Sequence, residues 1–236
     1  MKKLFLICAG TLSILASSYS NASTTINVGG LPIQINGPIG YINACEKSEE
    51  FRKIFESSTP PMNTLRACFI ENEEFRKFPD VDLEVDNPAF QVFTIKSIEQ
   101  RNATETEFAS FRQAIVKQQD SMFSNMPKKL KSIVDSTMKT STQAAAEIVG
   151  EGLSITDWSV VPLGVFSNTS SHVAFAAIRN TKVNTESGAI TVSEVIATSA
   201  ILKNGKVLML NVQKQYKSSA DIAMAKELIV KWSTEI

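Results

Sequence analysis

Four consecutive runs rich in Val, Ile, Thr and aromatic residues fill the last third of the chain, at residues 153–165, 173–183, 190–202 and 206–216. Only turn residues separate them. The last junction is Asn204-Gly205, a dipeptide suited to a two-residue hairpin because both positions accept positive φ. Strands joined this tightly run antiparallel, since a parallel crossover needs a dozen or more residues. A four-strand meander is therefore the frame into which the rest of the chain has to fit.

Upstream, residues 25–28 and 31–35 alternate around Gly29-Gly30 and predict a small hairpin. Pro38 and Gly40 punctuate before Tyr41-Ile42. Residues 46–57 place Phe51, Ile54 and Phe55 on one helical face with acidic residues at the start, which predicts a short amphipathic helix ended by Thr59-Pro60-Pro61. Residues 65–70 and 89–96 read as strands. Thr104-Glu105-Thr106-Glu107 fits a capping box and opens a helix carrying Phe108, Phe111, Ile115 and Met122. Pro127 either kinks that helix or starts a second one. Leu130, Ile133, Val134 and Met138 then continue the apolar stripe toward a stop near Gly150, and one kinked helix or two stacked ones both satisfy the pattern. A closing helix over 219–232, capped by Ser218 or Ser219, lines up Ile222, Ala225, Ile229 and Trp232. The sum is an α+β fold: an antiparallel sheet of about six strands, with the central helical region and the C-terminal helix packed on its faces.

The first 22 residues carry an export signal. Lys2 and Lys3 form a positive start, residues 4–16 are apolar but too few to remain as a membrane span, and Ser20 and Ala22 are the small residues that precede a cleavage point. Cys8 lies inside the apolar run without the small residues of a lipidation site before it. Residues 23–236 then form a single domain with 22 basic and 24 acidic residues. That balance gives no reason to expect nucleic acid as a partner, and no later stretch is apolar enough to span a membrane. The compact signal has a bacterial character, so the expected destination is the periplasm. Cys45 and Cys68 remain after cleavage, and two cysteines in an exported chain most often pair. Their spacing is not that of a redox Cys-x-x-Cys, so the bond reads as structural, with two buried free thiols as the alternative.

Catalytic patterns are sparse. His172 is the one histidine, it follows Ser170-Ser171, and no Gly-x-Ser-x-Gly elbow accompanies it. His-Glu-x-x-His and Gly-rich phosphate loops are absent from the sequence, so no cofactor is expected. Asp80, Asp82, Glu84 and Asp86 alternate with Val81, Leu83 and Val85, which in an extended chain puts the carboxylates on one side. A calcium loop would need glycine where Val85 stands and glutamate where Gln91 stands, so an edge strand with a charged side fits the run better. Trp158, Phe166 and Trp232 are aromatic candidates to line a ligand pocket, although such rings more often pack a core. A pair of facing carboxylates is recognised in space and not in sequence.

The segment Ile201-Leu-Lys-Asn-Gly-Lys-Val-Leu-Met-Leu-Asn-Val-Gln-Lys-Gln-Tyr216, followed by Asp221 and a helix to Lys231-Trp232, resembles uncharacterised exported proteobacterial proteins of the PsbP/DcrB-like α/β-sandwich group. The likeness runs over the element order of residues 89–236 and brings no catalytic residues with it. It implies a protein that acts by binding other proteins. The expectation is thus a non-enzymatic periplasmic protein whose partner is another envelope protein. An envelope immunity or accessory protein that neutralises its partner is the alternative within that class, and a hydrolase with a carboxylate pair is the alternative outside it. Export has a direct check: protein recovered from the periplasm should begin at Ser23 on N-terminal sequencing, and recovery of Met1 would refute cleavage.

Overall fold

A computed structural model describes residues 22–77, 87–124, 154–185 and 188–236, together with helical residues between 132 and 143. Two strands, β1 (Ser23–Val28) and β2 (Leu31–Asn36), make a separate hairpin. The chain continues through β3 (Tyr41–Asn43), α1 (Ala44–Lys47), α2 (Glu49–Ser57), β4 (Asn63–Glu71), α3 (Asn72–Lys77), β5 (Ala89–Ile95) and α4 (Glu105–Ser124). It ends with the meander β6 (Ser154–Asn168), β7 (His172–Thr185), β8 (Gly188–Lys203) and β9 (Lys206–Gln215), then α5 (Ser219–Glu235). The main sheet has the order β3-β4-β5-β9-β8-β7-β6, and each neighbouring pair is antiparallel. The fold is α+β, as expected. Its seventh strand is β3, which pairs over only three residues with the end of β4.

Local chemistry sets the boundaries. Asn204 (φ 51°) and Gly205 (φ 75°) both adopt positive φ and close the β8–β9 hairpin with Lys203 opposite Lys206. At α4 the Glu107 amide donates to Thr104 Oγ1 at 3.2 Å and the Thr104 amide to Glu107 Oε2 at 2.8 Å, completing the capping box. Ser218 and Asp221 cap α5 in the same reciprocal way. The helix expected over 46–57 is in fact two: Ser48 is extended (φ −141°, ψ 130°), and its hydroxyl accepts from the Phe51 amide at the start of α2. A serine satisfies a helix start better than a helix interior, and the break follows from that. The short helix α3 arises in the polar stretch after β4, with Glu73 at its start paired to Arg76 at 3.0 Å.

Each face of the sheet is covered. On face one, α5 and the β1–β2 hairpin pack Ile229, Trp232, Ile33 and Ile35 against Phe69, Phe90, Leu208 and Leu210. On face two, α1 and α2 bring Cys45, Phe51 and Phe55 to Cys68 and Ile70. At the other end of that face, α4 sets Phe108 on Phe93, Val173, Ala200 and Met209, with Phe111 and Ile115 partly buried beside it. No described helix is long and apolar enough to cross a membrane. The acidic run 80–86, Pro127 and Gly150 lie outside the described residues.

Cys45 on α1 is bonded to Cys68 on β4, with Cα atoms 5.4 Å apart. Both are buried, so the bond ties the first helix onto face two and closes 23 residues of separation. Replacing both cysteines by Ala should lower unfolding free energy by about 3 kcal/mol, read by urea denaturation. The unreduced wild type, once denatured, should release no titratable thiol from these two positions.

Candidate functional site

The sequence patterns that fall on described residues can now be placed, the acidic run Asp80, Asp82, Glu84 and Asp86 lying outside them. His172 opens β7 on face one and is 2% exposed. Its Nε2 lies 2.8 Å from Ser167 Oγ on β6, and its Nδ1 lies 3.1 Å from Thr169 Oγ1 and 3.4 Å from Ser171 Oγ. The Thr169 amide donates to the His172 carbonyl at 2.8 Å, closing the turn. Arg112 on α4 braces the same turn by donating to Asn168 Oδ1 at 2.7 Å and to the Thr169 carbonyl. A serine in contact with an imidazole is half of a nucleophile–base pair. Here, among the described residues, hydroxyls take both ring nitrogens and no carboxylate orients the ring, so the contacts serve the hairpin. Burial holds the imidazole below its ordinary pKa, and the Arg112 guanidinium adds to the effect.

The aromatic candidates separate. Trp232 is buried; its Nε1 donates to the Asn36 carbonyl at 2.8 Å and its ring meets Phe90 edge-on at 5.2 Å. Phe166 is half-buried under Lys226, whose Nζ sits 5.1 Å from the ring centroid. Trp158 donates its indole N–H to Asp135. These rings line no common pocket.

Enclosed charges are paired. Glu99 meets Arg66 at 2.5 Å and accepts from Thr94 at 3.0 Å and Thr64 at 3.3 Å. Burial works to raise the Glu99 pKa, but Arg66 and the two hydroxyls outweigh it and the net shift is downward. Arg179 binds Glu194 across β7 and β8, and Lys214 stands 3.5 Å from Asp221. Two carboxylates, Glu71 and Glu74, share Asn87: the Asn87 side-chain amide donates to Glu71 at 2.6 Å and its backbone N–H to Glu74 at 3.1 Å. No cluster of three metal-type side chains occurs among the described residues.

Two features carry surface character that the sequence did not announce. The first is a cleft of about 390 Å³ between the end of α2, the start of β4, the end of β5 and the helical residues Ser136, Thr137 and Thr140. Glu56 and Lys96 stand on its rim, and Thr59, Thr64, Thr137 and Thr140 line its walls. The second is the outer part of β6, β7 and β8, where Asn180 donates to Ser159 Oγ at 3.4 Å and accepts from Ser193 Oγ at 2.7 Å. The register puts Ser159, Asn180 and Ser193 side by side on face one, with Val161 two residues along β6 and 48% exposed. Neither has a local signature: the cleft joins residues up to 84 positions apart, and the ladder needs the strand register.

No protein-family model matches the chain, and no curated protein matches it. Among solved structures it is similar to the Saccharomyces cerevisiae Ran-binding protein Mog1p at 10% identity, covering 88% of this chain and 84% of that one, with a TM-score of 0.31. A mutant of protein Mog1 gives 12% identity, 86% and 84% coverage and the same TM-score of 0.31. Likeness at this level carries no argument about what the chain does.

The buried imidazole makes a pH prediction. His172 titrates near 6.5 when unfolded and lower when folded, so its share of stability is complete above that value and is lost as pH falls below it toward the folded pKa. Glu99 and Asp221 are lowered from the carboxylate range and respond only in stronger acid. The melting temperature should therefore fall between about pH 7 and about pH 5 in the wild type, and this slope should flatten in His172→Gln.

Proposed function

We propose that the protein is an exported, non-enzymatic binding protein that engages another protein of the bacterial envelope. The observation that carries this reading is the ladder on the outer part of β6–β8. Three polar side chains there are held to one another across three strands, so less rotamer freedom is lost when a partner docks. Val161 beside them offers an apolar anchor within a polar surround, the arrangement of an apolar centre and polar rim that protein-binding patches share. The α5 helix packs mainly over β8 and β9, which leaves this part of face one to solvent. An immunity or accessory role, in which the partner is neutralised, would use the same face. The resemblance of residues 89–236 to the PsbP/DcrB-like group points the same way.

The hydrolase alternative has less support. Glu99, Glu194 and Asp221 each face a cation, and Asn87 occupies an oxygen of both Glu71 and Glu74. Facing carboxylates that do acid–base work need space for the scissile bond or a water between them.

A photo-cross-linking residue in place of Val161 should, in intact cells, give one discrete adduct with an envelope protein. The same residue in place of Glu227, exposed on α5, should give none. Ser193→Lys should suppress the Val161 adduct without altering the melting temperature by more than a few degrees. Equal adducts from both positions, or none from either in envelopes that contain the protein, would refute the reading.

A further inference from the structure

The cleft between α2, β4, β5 and the helical residues Ser136, Thr137 and Thr140 has an unusual balance of hydrogen-bonding groups. A hydroxyl has one proton to give and two lone pairs to receive. Asn63 and Ser136 also line the cleft, and the Asn63 amide brings donors as well as an acceptor, but five other hydroxyls there have already given their protons inside the protein. Ser57 donates to the Ile54 carbonyl at 2.7 Å and Thr59 to the Phe55 carbonyl at 2.7 Å. Thr64 donates to Glu99 at 3.3 Å, Thr137 to the Ile133 carbonyl at 2.9 Å and Thr140 to the Ser136 carbonyl at 3.0 Å. Each of these oxygens lines the cleft as an acceptor, and the exposed Glu56 carboxylate adds a full negative charge.

Lys96 brings the positive charge to this rim. Its Nζ donates to the Pro61 carbonyl at 2.7 Å, which orients the ammonium and leaves two of its three N–H groups for a ligand. Arg66, the nearest other cation on β4, is bound to Glu99 and so does not compete. A ligand that suits this surface brings an ammonium group to the acceptor-rich wall beside Glu56 and a carboxylate to Lys96. A volume of about 390 Å³ lies at the lower end of the range for small-molecule sites.

We infer that this cleft is a binding site for a short zwitterionic peptide, with the free amino terminus at Glu56 and the free carboxylate at Lys96. It is separate from the Val161 face on β6, and neither reading depends on the other. The two charged ends give charge-assisted hydrogen bonds, which are the stronger ones, while the hydroxyl lone pairs accept from the remaining ammonium protons. Among the described residues Pro61 and Leu65 are the apolar side chains of the walls, so the charged ends decide recognition more than the peptide's side chains.

Calorimetric titration of the purified protein with trialanine tests the site. Trialanine should bind, and N-acetyl-trialanine and trialanine amide should each bind roughly tenfold more weakly, because each lacks one charged end. Lys96→Met should weaken trialanine by a similar factor and leave trialanine amide unchanged, and Lys96→Arg should restore trialanine binding. Glu56→Gln should do the same for the amino end, weakening trialanine but not N-acetyl-trialanine. Equal affinity for free and end-blocked peptides would overturn the assignment, as would the absence of heat with trialanine on folded protein. The comparison of blocked and free peptides uses wild-type protein, so it decides the matter even where a variant folds poorly.

Discussion

The contacts of Trp232 hold the two ends of the chain on one sheet. Its indole N–H reaches the Asn36 carbonyl across 196 positions of sequence, while its ring meets Phe69 at 6.0 Å and Phe90 at 5.2 Å, both edge-on. Tyr41 continues the stack onto Phe90 at 4.9 Å. A two-stranded hairpin is marginal by itself, so β1–β2 depends on this cluster and on Ile33 and Ile35 beneath it. Gly37 shows how close the approach is. A Cβ there would lie 2.5 Å from the Phe69 ring, so even alanine would force the hairpin away from the sheet.

A second tie fixes the opposite end of that hairpin. Lys206 is 3% exposed, and its Nζ donates to the carbonyls of Glu99 at 3.0 Å and Arg101 at 3.2 Å. Burying an ammonium is unfavourable unless such acceptors replace water. Gly29 lies against the same Glu99 carbonyl, with φ 57°, and has no room for a side chain. The turn after β5 is thus held between the hairpin and β9, while the Glu99 side chain reaches back to Arg66 and Thr64 at the edge of the cleft. Thr64 thus joins one wall of the cleft to this framework.

Legibility in the sequence followed the range of the interaction. Asn204-Gly205 and the Thr104–Glu107 box complete their hydrogen bonds within four residues, so the sequence announces them, whereas the α5 cap was narrowed only to Ser218 or Ser219 and falls to Ser218. The Cys45–Cys68 bond was legible because these are the two cysteines that follow the N-terminal apolar run. Ser48 was harder to read: the apolar spacing of Phe51, Ile54 and Phe55 looks helical throughout, and only the cap geometry shows where α1 stops. The position of β9 beside β5 leaves no local mark, because it pairs Phe90 with Val212. The burial of His172 against β8 and the placing of Glu56 and Lys96 along one cleft likewise rest on contacts between distant elements. For this reason the candidate sites were the least readable part of the chain.

The strand order also dictates a schedule. Strand β5 lies in the middle of the sheet, yet its second neighbour is β9, the penultimate element of the chain. A chain delivered amino end first offers β5 as an open edge, with Phe90 and Val92 uncovered on one side, until residues 206–215 have emerged. The meander likewise assembles outward-in, from β6 at the rim to β9 at the centre. Nucleation among such distant partners is slow compared with local helix formation. The architecture thus keeps the nascent chain unfinished for almost the whole of its delivery, a state open to threading through a narrow passage and equally open to capture by a holdase.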